Sequence, residues 1–244
     1  MPNPLDNVRV VLVEPASPGN IGATARVLKT TGIQQLCLVN PGDWDNDESR
    51  RLAHGSGEIL DRCLIFRDLP SAVTECHYVV GTTHREGRHR EVIADPDTVL
   101  AKVVDRLPHQ QIALVFGREK DGLWQEELMH CHMLLRFPSA VAYPSLNLSH
   151  AVLLFTHALY NATTDHTPAP IAELATAGDQ EQMYANINEA LSAIGFTPYN
   201  DDPDHFSRVL RRFFNRVQLE IRDVRAIQTI CGQIRKFSQR HRST

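Results

Sequence analysis

Val8-Arg9-Val10-Val11-Leu12-Val13 is short, β-branched and almost wholly apolar, and it runs into the turn Glu14-Pro15-Ala16-Ser17-Pro18-Gly19. A run of that kind is a buried strand. A helix follows it. Ile21, Ala25 and Leu28 recur at core spacing, Asn20 is placed to cap the first turn, and Gly32 stops the helix after Thr31. The alternation then continues. Leu36 to Val39, Cys63 to Phe66, Tyr78 to Val80, Ile112 to Phe116 and Met133 to Phe137 read as further strands, and Leu146 to Tyr160 as one more helix. Strands that alternate with helical stretches predict an α/β domain whose parallel sheet is covered on both faces.

The pattern changes after residue 162. Residues 163–179 are rich in Ala, Thr and Pro and have the composition of a linker. Residues 180–244 carry three helical stripes: Met183, Ile187, Leu191 and Ile194; then Phe206, Leu210, Phe213 and Val217; then Val224, Ile227, Cys231, Ile234 and Phe237. The domain expectation is therefore residues 1–162, a linker at 163–179, and a small α-helical unit at 180–244.

Charge separates the two ends more sharply than composition does. The net charge is −4, but residues 205–244 hold ten Lys or Arg against two Asp or Glu. The first 204 residues hold fifteen basic and twenty-seven acidic residues. Such asymmetry fits an end that faces nucleic acid, and it equally fits a solvated basic helix pair. No apolar run approaches the length of a membrane span. The start, Met1-Pro2-Asn3-Pro4-Leu5-Asp6, lacks the basic and apolar regions of a signal peptide. Five scattered cysteines with no C-x-x-C pair argue against a disulfide framework or a zinc site and suggest a reducing, cytoplasmic setting. His130-Cys131-His132 lies at a strand entry, where neighbouring side chains point to opposite faces, so it does not read as a metal site.

Three stretches carry the chemistry: Pro18-Gly19-Asn20-Ile21-Gly22-Ala23-Thr24-Ala25-Arg26, Leu114-Val115-Phe116-Gly117-Arg118-Glu119-Lys120-Asp121-Gly122-Leu123, and Tyr143-Pro144-Ser145-Leu146-Asn147-Leu148-Ser149-His150-Ala151-Val152. None matches a dinucleotide loop or a phosphate-binding P-loop. The second and third share a plan of strand, tight polar turn and helix. In open α/β sheets such turns lie beyond the carboxyl ends of the strands, where ligands bind. Gly117 would let a ligand approach the backbone, and Ser145 and Asn147 sit at a helix N-terminus with free N–H groups. On their own these features fit a small polar ligand without naming it.

Taken in order, the three stretches resemble the motifs of RNA 2′-O-methyltransferases of the SPOUT superfamily, most closely the TrmJ-type branch that acts on tRNA. Val10-Val11-Leu12-Val13-Glu14, Leu38-Val39-Asn40-Pro41, Val79-Val80-Gly81-Thr82 and Leu210-Arg211-Arg212-Phe213 strengthen the likeness. The resemblance implies a parallel sheet with a C-terminal trefoil knot, followed by a tRNA-binding helical domain. It implies a homodimer that uses S-adenosyl-L-methionine (SAM) and no metal or membrane. It places cofactor contacts at Thr82, Thr83, His84, Gly117, Phe137, Pro144, Ser145 and Leu146. It places the catalytic set at Arg26, Asn20, Ser145 and Asn147. His84 stands where a small residue is common, and Pro144 where a second serine often stands. The implied reaction is methyl transfer to a ribose 2′-hydroxyl of tRNA, at a cytidine or uridine of the anticodon loop. Ribosomal RNA, another tRNA position and a catalytically silent RNA-binding role are the alternatives. Two readings of Arg26 stand, a phosphate clamp and a base transiently deprotonated through burial; the clamp is favoured, because a guanidinium stays protonated and its planar fork suits phosphate.

Overall fold

All six residues of β1 (Val8–Val13) are buried, Arg9 included. The Arg9 guanidinium is tolerated there because it donates to the Ala72 carbonyl at 2.8 Å and to Glu75 at 3.2 Å. A strand buried on both faces needs neighbours on both edges. β1 has them in β2 (Gln35–Val39) and β6 (Ile112–Phe116). β3 (Leu64–Phe66), β4 (Tyr78–Thr82), β5 (Val92–Ile93) and β7 (Met133–Leu135) complete one sheet, in the order β3-β2-β1-β6-β4-β7-β5. Every pairing is parallel. These positions come from a computed structural model that describes residues 3–83, 92–93, 95–141, 146–164, 173–198, 203–217 and 219–242. His84, Pro144, Ser145 and residues 165–172 of the expected linker lie outside the described residues.

The chain divides into two compact units, Met1–Ile171 and Ala172–Thr244. In the first, the helices are α1 (Pro18–Thr31), α2 (Asp47–Ala53), α3 (Gly57–Asp61), α4 (Leu69–Val73), α5 (Pro96–Val104), α6 (Gln125–Leu128) and α7 (Leu148–Thr164). The main core joins Val8, Val10 and Leu12 to Leu28 of α1, Val103 of α5, and Val152 and Phe155 of α7. The six strands expected from sequence are present. β5, two residues long, was not expected. The register aligns Val10 with both Leu36 and Leu114, and Val80 with both Leu114 and Met133. The carboxyl ends of β1, β4, β6 and β7 therefore open at one edge, where the turns carrying the motifs meet.

The helix cap differs from expectation. Ser17, not Asn20, caps α1, its side chain accepting from the Asn20 amide at 3.3 Å. Pro18 then occupies the first helical position, for which its fixed φ is suited, and Asn20 falls inside the first turn. Gly22 has a packing role: a Cβ there would lie 2.1 Å from the Ser49 carbonyl oxygen of α2. In an open helix, Gly→Ala adds up to about 1 kcal/mol of stability. Here Gly22→Ala is expected to destabilise by about 1–3 kcal/mol, the cost of overpacking. Urea unfolding of the two proteins reads the sign directly, and a stabilised variant would contradict the close α1–α2 approach.

The second unit contains α8 (Ala177–Ala193), α9 (Pro203–Arg216) and α10 (Ile221–Arg242). It begins earlier than the sequence suggested. Leu174 forms a β-bridge with Glu220, and the Ala175 amide donates to the Leu219 carbonyl at 2.8 Å. Thr176 and Asp179 form a reciprocal capping box that starts α8. At the other boundary, residues 161–164 are the last turn of α7. The unit's core is Ala175, Met183, Tyr184, Leu219 and Val224, with Ile187, Phe214 and Ile227 against it. The second expected stripe does not hold as drawn. Phe213 and Val217 are exposed, and Phe214 turns inward in their place. Among the described residues, no helix is long and apolar enough to cross a membrane.

Candidate active site

The turn after β6 is closed by the chain itself. Arg118 and Gly122 exchange backbone hydrogen bonds of 3.2 and 2.9 Å, and Gly122 takes a φ of +67°. A Cβ at Gly117 would lie 2.2 Å from the Gly122 carbonyl carbon. Glycine is required at 117 for this close approach within the turn, not only for the approach of a ligand. Arg118 locks the turn in place. Its Nε donates to Glu14 at 2.9 Å, its two Nη atoms donate to Glu127 at 3.0 and 2.9 Å, and its guanidinium lies 3.5 Å from the centre of the Trp124 ring. Burial acts to lower the Arg118 pKa, but its two carboxylate partners raise it further. The hydrogen bond from Arg118 holds the Glu14 carboxyl below the ordinary value. Glu14 itself has a φ of +45°, at the point where β1 turns towards α1.

Glu119 ties the three motifs together. Its two oxygens accept from the backbone amides of Ala16 at 2.9 Å and Ser17 at 3.2 Å, and from Asn20 Nδ2 at 2.8 Å. Asn20 Oδ1 in turn accepts from Asn147 Nδ2 at 2.7 Å. Asn147 Oδ1 accepts from the amides of Ser149 at 3.0 Å and His150 at 3.4 Å, so Asn147 caps α7. Burial pushes the Glu119 carboxyl up, but its hydrogen bonds from Ala16, Asn20 and Ser17 outweigh this and hold it below the ordinary glutamate value. Sequence reasoning quoted Glu119 within the second motif but gave it no role. The available signal was a carboxylate two residues past Gly117, at the strand edge where a helix N-terminus offers unpaired N–H groups.

A cleft of about 350 Å³ opens beside this network. Thr82, Thr83, Gly117, Phe137 and Leu146, five of the expected cofactor positions, line it together. Thr82 is fixed by donating Oγ1 to the Val115 carbonyl at 3.1 Å, and the Thr83 amide donates to Leu135 at 3.0 Å. Phe137 and Phe116 both pack edge-to-face on Phe155. The walls thus combine apolar rings and leucines with backbone and charged groups at the Arg118–Asp121 turn. Size and lining suit a nucleoside-type ligand such as SAM, an apolar slot for a purine beside polar groups for its sugar and charged tail.

Arg26 is not part of the network. It is exposed on α1, and its side chain has no partner among the described residues. Six residues separate it from Asn20, which is about 240° around the helix. Near the strand entry, Cys131 packs under Gly81, whereas His132 accepts from the Val79 amide at 3.0 Å and stacks on Tyr78. Among the described residues no group of three or more His, Cys, Asp or Glu is placed to hold a metal ion. Burial pushes the thiols of Cys37, Cys63 and Cys131 up to about 12 and that of Cys76 up to about 11, which makes them poor nucleophiles.

Residues 7–157 match the family described as SpoU rRNA Methylase. A Photorhabdus laumondii protein named tRNA (cytidine/uridine-2′-O-)-methyltransferase TrmJ is 32% identical over 241 residues, which is 97% of this chain and 100% of its own. The chain belongs to the SpoU methylase family, in its TrmJ branch. A second TrmJ relative, from Pseudomonas aeruginosa, is named for cytidine, uridine and adenosine and is 32% identical over 96% of both chains. The crystal structure of TrmJ from Z. mobilis ZM4 superposes with a TM-score of 0.81 over 93% of this chain and 98% of that one, at 22% identity. The SpoU match stops at residue 157, whereas the TrmJ relatives align over nearly the whole chain. The likeness to TrmJ therefore includes the helical unit.

Proposed function

We propose that this protein transfers a methyl group from SAM to the 2′-hydroxyl of a tRNA ribose, at a cytidine or uridine of the anticodon loop. The observation that carries this reading is the hydrogen-bonded chain Glu119–Asn20–Asn147, which joins all three motifs beside the cleft. Relatives named as tRNA 2′-O-methyltransferases support the substrate. The presence of Asn20, Arg26, Ser145 and Asn147 together speaks against a silent RNA-binding protein.

Thr82, Thr83, Gly117, Phe137 and Leu146, together with His84, Pro144 and Ser145 from the motif set, would hold the cofactor. When bound, SAM supplies an electrophilic methyl group on its sulfonium. The protein must then align the ribose oxygen and help its proton leave. Asn20 and Asn147 already use their amide oxygens as acceptors, so what each still offers is an amide hydrogen. They act as positioning residues and as donors to a ribose oxygen, not as proton acceptors. Ser145, carried over from the third motif, is assigned to the catalytic set with them. Arg26 is the phosphate clamp, and the proton leaves to water.

The protein is read as a cytoplasmic homodimer with a metal-independent site. Two observations support the dimer. Leu153, Leu154 and Tyr160 leave an apolar face exposed on α7, beside the cleft. Arg26 lies away from its own network, as a residue that serves a partner's cleft would. The trefoil knot belongs to the same reading. It is supported by the sheet order, in which β6 enters between β1 and β4, and β7 between β4 and β5.

Incubation with SAM and unfractionated tRNA, followed by mass-spectrometric mapping, tests the function. The expected result is one 2′-O-methylated pyrimidine in the anticodon loop, undiminished by excess EDTA. Methylation confined to ribosomal RNA, the substrate in the SpoU family's description, would overturn the tRNA reading. Loss of activity with EDTA would overturn the metal-free site.

A further inference from the structure

The basic residues of the helical unit do not all do the same work. Arg211 is turned inward, donating through Nη2 to Glu181 at 2.7 Å and lying 4.4 Å from the centre of the Tyr184 ring. Arg235 pairs with Glu189, and Arg222 with Glu220. The first two link α9 and α10 to α8, and the third is a local pair at the start of α10.

The outer face of α9 is different. His205, Arg208, Val209, Arg212, Phe213 and Arg216 are all exposed and fall at spacings of three and four, so they form one continuous stripe. No Asp or Glu occurs between His205 and Leu219. Arg212 has no carboxylate partner among the described residues. In the middle of the stripe stands Phe213, 60% exposed. Its ring is braced edge-to-face by Phe214 at 5.3 Å, and Phe214 packs on Tyr184 at 6.2 Å. An aromatic ring held rigidly on its inner side and open to solvent between guanidinium groups has little use in a folded core.

We propose that this face of α9 docks an unpaired stretch of the tRNA, with Phe213 stacking on a base and Arg212 meeting a phosphate. The proposal rests on the tRNA reading above. Its chemistry is that of single-strand recognition, in which a basic track follows the backbone and aromatic rings take successive bases. Charge favours RNA over protein. A two-fold contact with a second copy would set this acid-free arginine stripe against itself. A different protein would have to supply a carboxylate for Arg212 on burying it. Phosphates meet the stripe directly and release counterions.

The test uses the full-length protein and a fluorescein-labelled tRNA transcript, with affinity read by anisotropy across a salt series. Phe213→Ala is expected to weaken binding about tenfold, and Phe213→Trp to restore it, because any flat ring can stack. Arg212→Ala should weaken binding and reduce the slope of log affinity against log salt by about one. SAM binding, followed by calorimetry, should stay unchanged in all three. If Phe213→Ala binds the transcript within twofold of wild type, the proposal is overturned while the tRNA reading stands. If Phe213→Ala splits a dimer in sedimentation without changing affinity, the face is a protein contact and the proposal fails. A wild-type protein that binds SAM but neither binds nor methylates tRNA would remove the tRNA reading and this proposal together.

Discussion

Replacing Arg26 with alanine is expected to lower kcat/KM for tRNA by about 10²- to 10³-fold, the range for losing one preorganised charge-stabilising donor. SAM affinity should stay within a few-fold of wild type. The split follows from position. Arg26 is exposed on α1 and is not among the residues that line the cleft. The proposed clamp role puts its work on the RNA side, where a planar fork can hold a phosphate through two parallel hydrogen bonds. Arg26→Lys should also be poor, since lysine keeps the charge but not the fork. Single-turnover rates with tRNA, beside calorimetry with SAM, measure both quantities. A lysine variant with near-normal turnover would show that a point charge is enough. A loss of SAM affinity matching the loss of rate would instead move Arg26 into the cofactor site.

Glu119 carries the second large effect, and this one joins stability to activity. Glu119→Ala strips acceptors from the amides of Ala16 and Ser17 and from Asn20 Nδ2. Unsatisfied donors around a charged partner cost about 2–3 kcal/mol. For a domain of this size that is a fall in Tm of roughly 5–10 °C. Methyl transfer should fall further than stability alone explains, because Asn20 and Asn147 lose their shared anchor.

Glu119→Gln separates the charge from the shape. The folded-state carboxyl titrates below its ordinary value. Its contribution is therefore fully present above the unfolded glutamate pKa and is lost as pH falls through the folded one. Wild type should be the more stable protein at neutral pH, and the two should converge on the acid side of the ordinary glutamate range. Urea unfolding at several pH values reads the gap. A gap that stays constant with pH would mean that the charge of Glu119 does not hold the three motifs together.

Much of the first unit could be read from its residues. β1, β2 and β6 were legible because β-branched apolar runs bounded by turns have few other uses. The three motifs were legible as turns beyond strand ends, and five of the expected cofactor positions do line one cleft. The imbalance of charge towards the C-terminal end was legible by counting. Periodicity, however, reports which face of an element is buried and not which neighbour buries it. The insertion of β6 between β1 and β4 was therefore invisible from pattern alone. The same limit hid the role of Asn20. Read locally it looked like a helix cap, but its partners are 99 and 127 residues away, and only folding brings them within reach. In the helical unit the sequence listed the arginines without sorting them. Glu181 draws Arg211 inward, while Arg212, one residue later and about 100° around α9, is left facing solvent beside Phe213. Composition and spacing pointed to a basic end and a polar-ligand site, and the resemblance of the ordered motifs gave that site its expected chemistry. Long-range hydrogen bonds and ion pairs decided which copy of each residue type was left free to perform it.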